Sequence, residues 1–477
     1  MRMNLLDICR HLGVVFVGMN PEAAMSCPTG AAIDSREVKE GNLFFCLPGN
    51  RVDGHDFAAA AVEKGALAII GSRNPFPPGK APVPVLVVSD PVATLGALGA
   101  AHRKNARATV IGVTGTSGKT SVKEVLAAVL GGHGETAKNP VNLNNQIGLP
   151  LSMLNAAEDA DFWVMEAGIS RPNDMNELGA MLQPDIALIL NAGAGHVQEL
   201  GDKGVAYYKA RLLAHLAPHG RAVVSSDYPE LAKEAGMYGV DVTYFSAEDP
   251  EADFYAAYLG PESETMGRYS LALDGNAMRV LAPFQGGYGA ENVAAIGAVA
   301  HLLGLTEPEI VNGFLTAKLP AQRFAVREAG PYLLIDDSYN ANPLSMARML
   351  DAAAEMANAR GQELALVLGE MGELGAESAV YHKDLARHAA RLAPKAVIWK
   401  GGHGEAVGRA LHEAGFAGVF SHVGDPASFL SAFLSAGMEK GVVLFKGSRV
   451  NKLEELVAAF GAMAGTDGVD KGTDHAV

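Results

Sequence analysis

The chain has 477 residues, 49% of them apolar and 19% charged, and 53 acidic against 38 basic residues give a net charge of −15. That length suggests two to four domains, and a dispersed acidic excess without a basic block argues against nucleic acid or an anionic membrane as the main partner. Cys9, Cys27 and Cys46 are too few and too scattered for a disulfide framework or a zinc site, and no apolar run approaches a membrane span. Asp7, Arg10 and His11 interrupt any leader-like apolar core, so a cytoplasmic, reducing setting is expected.

In chain order, residues 1 to about 106 read as a small α/β unit. Gly41–Leu47 is strand-like, Phe57–Glu63 helical, and Ala66–Ile70 and Val83–Val88 strand-like, with a proline-rich surface loop over 75–84. From about 107 to 320, strands alternate with helices, which implies a largely parallel sheet covered by helices. Val110–Val113, Phe162–Met165 and Ile186–Leu190 are the strand candidates, and Gly204–Leu216 is a helix candidate. From about 321 to 477 the pattern repeats, with strands at Tyr332–Ile335, Leu364–Leu368, Ala396–Trp399 and Val442–Phe445. The tail from about Ala464 has no periodic face and is expected to be disordered.

The most informative stretch is Thr114-Gly115-Thr116-Ser117-Gly118-Lys119-Thr120-Ser121. It follows a buried strand and opens a helix on which Val122, Val125, Leu126 and Val129 recur at helical spacing. Backbone N–H groups and the helix dipole at such a junction favour an anion. The common phosphate-loop pattern has a glycine where this chain has Val113, so the match is imperfect. The plain alternative is a glycine-rich turn with a solvated lysine. The strand before and the helix after favour nucleoside triphosphate binding, but not any one reaction.

A triphosphate site needs a cation, and Mg²⁺ takes hard oxygen ligands and keeps several waters. Thr120 offers a hydroxyl beside Lys119, Glu166 directly follows a strand, and His196 follows Ile186–Leu190 through a short glycine-rich link. Each alone has a dull explanation; their joint placement at strand ends favours a site. Lys209 reads from spacing alone as a surface lysine. In the third segment Asp336-Asp337-Ser338-Tyr339-Asn340-Ala341-Asn342-Pro343 follows a strand. It suits hydrogen bonding to ribose or base, or equally a turn before a helix. Lys446-Gly447-Ser448-Arg449 repeats the theme, with cations and a hydroxyl able to hold a carboxylate or phosphate.

These stretches together resemble the Mur ligases, ATP-dependent amide-bond ligases of cell-wall precursor synthesis, over nearly the whole chain. Asp34-Ser35-Arg36, with Gly41–Phe44 and Asp53–Phe57, resembles the family's uridine-nucleotide domain. Thr114–Ser121 resembles its ATP loop, and Asn142–Pro150, containing Asn144 and Asn145, its asparagine-rich substrate loop. Asp337–Pro343 is similar to the branch that adds D-alanyl-D-alanine, and the amino-acid-adding relative's D-N-P-R motif is absent from the sequence. The resemblance implies three domains: a small α/β uridine-binding domain, a central parallel-sheet P-loop ATPase domain and a C-terminal Rossmann-like α/β domain.

The resemblance also implies roles. Lys119 and the loop would bind ATP, with Asn292, Arg323, Asp337, Asn340 and Asn342 contacting the nucleotide. Glu166 and His196 would hold metal, and Lys209 would be carbamylated to bind a second Mg²⁺. Ser35, Arg36, Asn144, Asn145, Lys446, Ser448 and Arg449 would contact the substrates, a UDP-linked muramoyl tripeptide and D-alanyl-D-alanine, in a monomer. Arg211, Tyr288, Gly289, Gln322 and Glu370 depart from the family pattern, mainly around the adenine pocket. A ligase adding another amino acid, and a P-loop NTPase switch, are the rival readings.

Overall fold

A computed structural model describes residues 2–18, 20–49, 52–193 and 203–465. His196 and the tail beyond 465 lie outside the described residues. No described helix is long and apolar enough to cross a membrane.

Three sheets organise the described chain. The first holds four parallel strands in chain order: Gly30–Ala32, Asn42–Phe45, Ala68–Gly71 and Val85–Val87. Its inner strands are buried on both faces, so they read as short apolar runs without alternation. The expected helix Phe57–Glu63 is a 3₁₀ turn, Gly54–Phe57, leading into an α-helix, Ala58–Glu63. Asp53 starts that turn by accepting from His55 N–H at 2.9 Å.

The second sheet has nine strands. Its parallel part runs, in spatial order, Asp241–Ser246, Arg221–Ser225, Ile186–Ile189, Thr109–Thr114, Phe162–Glu166 and Thr136–Lys138. The sheet is largely parallel, as expected, with an addition at one edge. Phe254–Pro261, Gly267–Leu273 and Asn276–Ala282 extend the sheet as an antiparallel meander. The helix Tyr288–Leu302 packs over this half, and its long apolar run Val293–Ala300 is fully buried. Gly204–Leu216 is not one helix: an α-helix, Gly204–Ala210, passes into a 3₁₀ turn, Arg211–His215.

The third sheet has six strands, ordered Ala325–Ala329, Tyr332–Asp337, Gly441–Lys446, Glu363–Gly369, Ala396–Lys400 and Val419–Val423. All neighbours are parallel except the first pair. Helices cover both faces, as buried parallel sheets require. The carboxyl ends of strands in the second and third sheets meet one cleft, the usual place for a ligand in such sheets.

Candidate active site

The strand Thr109–Thr114 delivers the phosphate loop to that cleft. Val110 to Thr114 are buried, and the chain turns sharply at Gly118, whose φ of +82° is glycine territory. The helix Lys119–Gly131 starts there without a side-chain cap, so its first N–H groups point at the cleft. Not every loop N–H is available. Thr116 N–H and Ser117 N–H donate to Asn191 Oδ1 at 2.9 and 2.8 Å. The anion cradle is therefore shorter than the sequence suggests, centred on Gly118 to Ser121. Gly115 is buried behind it.

Lys119 Nζ donates to Gly115 O at 2.9 Å and to Thr116 O at 3.4 Å. Burial lowers its pKa, and the nearby Glu166 opposes that shift. Thr120 Oγ1 donates to Glu166 Oε2 at 2.8 Å, and Asn144 Nδ2 donates to Glu166 Oε1 at 2.6 Å. Glu166 is thus held from both sides while its strand end faces the cleft. Asn139 fixes its backbone, accepting from Glu166 N–H at 2.8 Å and donating to Glu166 O at 3.1 Å. Lys123, buried beneath, donates to Asn139 O at 2.6 Å.

Lys209 lies behind the loop, not in the cleft. Its Nζ donates to Gly115 O at 2.8 Å. Burial first, and then the charge of Lys119, holds its pKa well below the ordinary ammonium range. His196, expected as a metal ligand, is outside the described residues. Among the described residues no group of three or more His, Cys, Asp or Glu could hold a metal. The donors present still suit Mg²⁺: a hydroxyl and a buried carboxylate 2.8 Å apart, both hard oxygens, leaving the other positions to water and phosphate.

The opposite wall comes from the third sheet. Asp337, Asn340 and Asn342 line the same cleft of about 350 Å³ as Ser117–Ser121, Asn292 and Arg323. Asn342 caps the helix Pro343–Arg360 through Ser345 N–H and also donates to Thr116 O at 3.3 Å. Asn292 presents a buried Oδ1 with no partner beside Gly118, an acceptor left for a ligand. Arg323 reaches Thr120 Oγ1 at 3.4 Å and stacks 4.0 Å over the Tyr339 ring.

Lys446 lines the cleft, but it is not a free cation: it is paired with Asp337 and donates to Asn340 O. Ser448 ties two loops together, accepting from Gly372 N–H at 2.8 Å. The Arg449 guanidinium lies 5.6 Å from the centre of the Tyr339 ring. Asn145 lines the cleft while its Oδ1 caps the turn into Gly148. Ser35 and Arg36 do not line it, and Arg36 forks onto Asp34. Sequence reasoning gave no role to Asn191, Tyr339 or Arg348, which packing brings to the loop or the cleft wall.

A phosphate loop facing a second α/β unit across one polar cleft defines a nucleotide-dependent enzyme whose units share a reaction centre. Family models match most of the chain: the Mur ligase family catalytic domain over 29–103, the Mur ligase middle domain over 113–300, and the Mur ligase glutamate ligase domain over 322–449. The chain belongs to the Mur ligase family. It is 33% identical to the UDP-N-acetylmuramoyl-tripeptide–D-alanyl-D-alanine ligase of Escherichia coli, covering 89% of this chain and 92% of that one. Its fold is similar to that of MurF from Acinetobacter baumannii, with a TM-score of 0.82 and 29% identity over 96% of this chain and 98% of that one. MurF from Thermotoga maritima in complex with ADP aligns with a TM-score of 0.78 and 30% identity over 91% of this chain and 97% of that one.

Proposed function

We infer that the protein is an ATP-dependent amide-bond ligase of peptidoglycan synthesis. It adds D-alanyl-D-alanine to UDP-N-acetylmuramoyl-tripeptide and yields the UDP-muramoyl-pentapeptide, ADP and phosphate. The observation that carries this reading is the single cleft in which the phosphate loop meets the Asp337–Asn342 stretch. The names of its relatives, one of them bound to ADP, supply the substrates.

The terminal carboxylate of the tripeptide attacks the γ-phosphorus of ATP, and the bond from that phosphorus to the β-bridging oxygen breaks. ADP leaves, and the acyl phosphate remains. The amine of the dipeptide then attacks the acyl carbon, loses a proton, and expels phosphate from a tetrahedral intermediate. Bringing a carboxylate to a triphosphate sets two anions together, so cations decide the rate. Lys119 and Arg323 flank Thr120 and supply that charge from the protein. Thr120 and Glu166 would hold Mg²⁺, which supplies charge neutralisation on the phosphates when bound. Asn144 orients Glu166, and closure of the two walls excludes water from the acyl phosphate.

Carbamylation of Lys209 needs a neutral amine, which its burial favours. The relatives give it no support, so the intact mass of the native protein decides it. One added CO₂ places a carboxylate behind the loop; an unchanged mass leaves an amine bracing Gly115. The free cysteines and the nucleotide substrates support a cytoplasmic setting, and a cleft completed within one chain supports a monomer.

Phosphate release from ATP tests the reaction, with UDP-muramoyl-tripeptide as acceptor. Release that needs both acceptor and dipeptide, with the pentapeptide product seen by mass, is expected. Release with a single amino acid in place of the dipeptide would move the protein to another branch of the family. Release independent of both would sink the ligase reading.

A further inference from the structure

One charged side chain of the third unit, half-buried at the cleft wall, reaches into the second. Arg348, on the helix Pro343–Arg360, places Nη1 2.7 Å from Glu291 Oε2, and its Nη2 donates to Tyr228 Oη. Glu291 lies in the helix Tyr288–Leu302 and is almost wholly buried, with Oε1 unpartnered. Its Oε2 also accepts from Asn191 Nδ2 at 3.2 Å. Asn191, completely buried, accepts the Thr116 and Ser117 N–H groups and donates to Ser117 O at 3.1 Å. An unbroken polar chain thus runs from the third unit to the phosphate loop.

A buried carboxylate is costly without its counter-charge. With Arg348 in place, Glu291 is balanced, and Asn191 Nδ2 serves both Glu291 and Ser117 O. With Arg348 withdrawn, Glu291 keeps only neutral donors, Asn191 among them, and pulls on the side chain that holds the loop. Its neighbour Asn292 packs against Gly118, so a shift of Glu291 reaches the loop a second way.

We propose that Arg348 is a positioning residue through which docking of the third unit sets the shape of the phosphate loop, so that nucleotide affinity depends on that docking. The proposal rests on reading Thr114–Ser121 as the ATP site.

The test is ADP binding by titration calorimetry, with steady-state kinetics, on the full chain and on R348M, E291Q and the E291Q/R348M double variant. R348M is expected to weaken ADP binding and raise KM for ATP by about tenfold, the effect of losing one charge-assisted hydrogen bond. KM for D-alanyl-D-alanine is expected to stay put. The double variant is expected to recover most of the affinity, because a neutral amide needs no counter-charge and still accepts from Asn191. A general loss of structure would lower both KM-dependent and KM-independent rates and would not be rescued. Unchanged ADP affinity in R348M, or losses that simply add in the double variant, overturns the proposal. If R348M does not fold, R348Q is read the same way, since it keeps a polar side chain at the seam but removes the counter-charge of Glu291. Wild-type protein that binds no ADP removes the proposed function first and the relay with it.

Discussion

Gly118 shows how one residue shapes the reaction centre. Its φ of +82° is strained for any other residue, and an added Cβ would sit 2.9 Å from Asn292 Oδ1. Gly118→Ala is expected to cost about 1–3 kcal/mol from backbone strain alone and to displace both the helix start and Asn292. ADP binding measured by calorimetry should fall at least tenfold while the melting temperature shifts only modestly; wild-type affinity would contradict this account. The loop was legible in the sequence because its residues are contiguous and each has a local reason to be there. Asn191 was not, because nothing in the sequence says that an asparagine 74 residues from Ser117 will satisfy its N–H. Lys446 was legible as a cation, yet its pairing with Asp337 depends on the parallel register Asp337↔Lys446, which the sequence does not state.

At the scale of elements, the parallel strands were readable as apolar runs ended by polar or small residues. The antiparallel meander was missed, although its signals are local. Gly267–Leu273 alternates inward and outward residues, and Asp274-Gly275, both at positive φ, forms the tight turn to Asn276–Ala282. The alternation was masked by small residues on the partly exposed face. The helix Tyr288–Leu302 approaches this meander closely through two glycines, and their neighbours differ in kind. A Cβ at Gly289 would lie 2.1 Å from Tyr269 Oη and 2.6 Å from Phe284 Cβ, both in buried residues with little room to move. A Cβ at Gly297 would meet the ends of Leu271 and Leu273, which can rotate away. Gly289→Ala is therefore expected to destabilise by about 1–3 kcal/mol, the overpacking range. In Gly297→Ala, a similar but smaller clash is offset by about 1 kcal/mol of helix propensity. Thermal melts should show a clear loss for Gly289→Ala and little change for Gly297→Ala; equal losses would mean the sheet cannot yield at either point.

For the whole molecule, the two seams between units differ in chemistry, and that difference decides where the protein moves. Leu151 and Leu154 of the second unit share one apolar cluster with Leu43, Phe45 and Ile70 of the first. Asn155 seals that seam, donating to Ala31 O at 2.9 Å and accepting from Ala31 N–H at 3.0 Å. Separating these units would expose a core, so they move as one. The second and third units share polar contacts, Arg348 with Glu291, Asn342 with Thr116 and Arg360 with Glu264, beside a smaller apolar one in which Tyr288 packs on the third unit's core. Such a seam permits relative motion. The connection between them bears the strain of a hinge, for Gln322 and Phe324 have φ of 59° and 54° on either side of Arg323. The same two turns aim Arg323 at Thr120, so hinge position and cation placement are set together. Small-angle scattering should therefore show a larger radius of gyration for the free protein, falling when a non-hydrolysable ATP analogue and UDP-muramoyl-tripeptide are added together. Gln322→Gly, which relaxes the positive φ, should leave the liganded radius unchanged but widen the distribution of free-state sizes. Identical profiles with and without ligands would mean that the polar seam is as rigid as the apolar one, and that the reaction centre is assembled before substrates arrive.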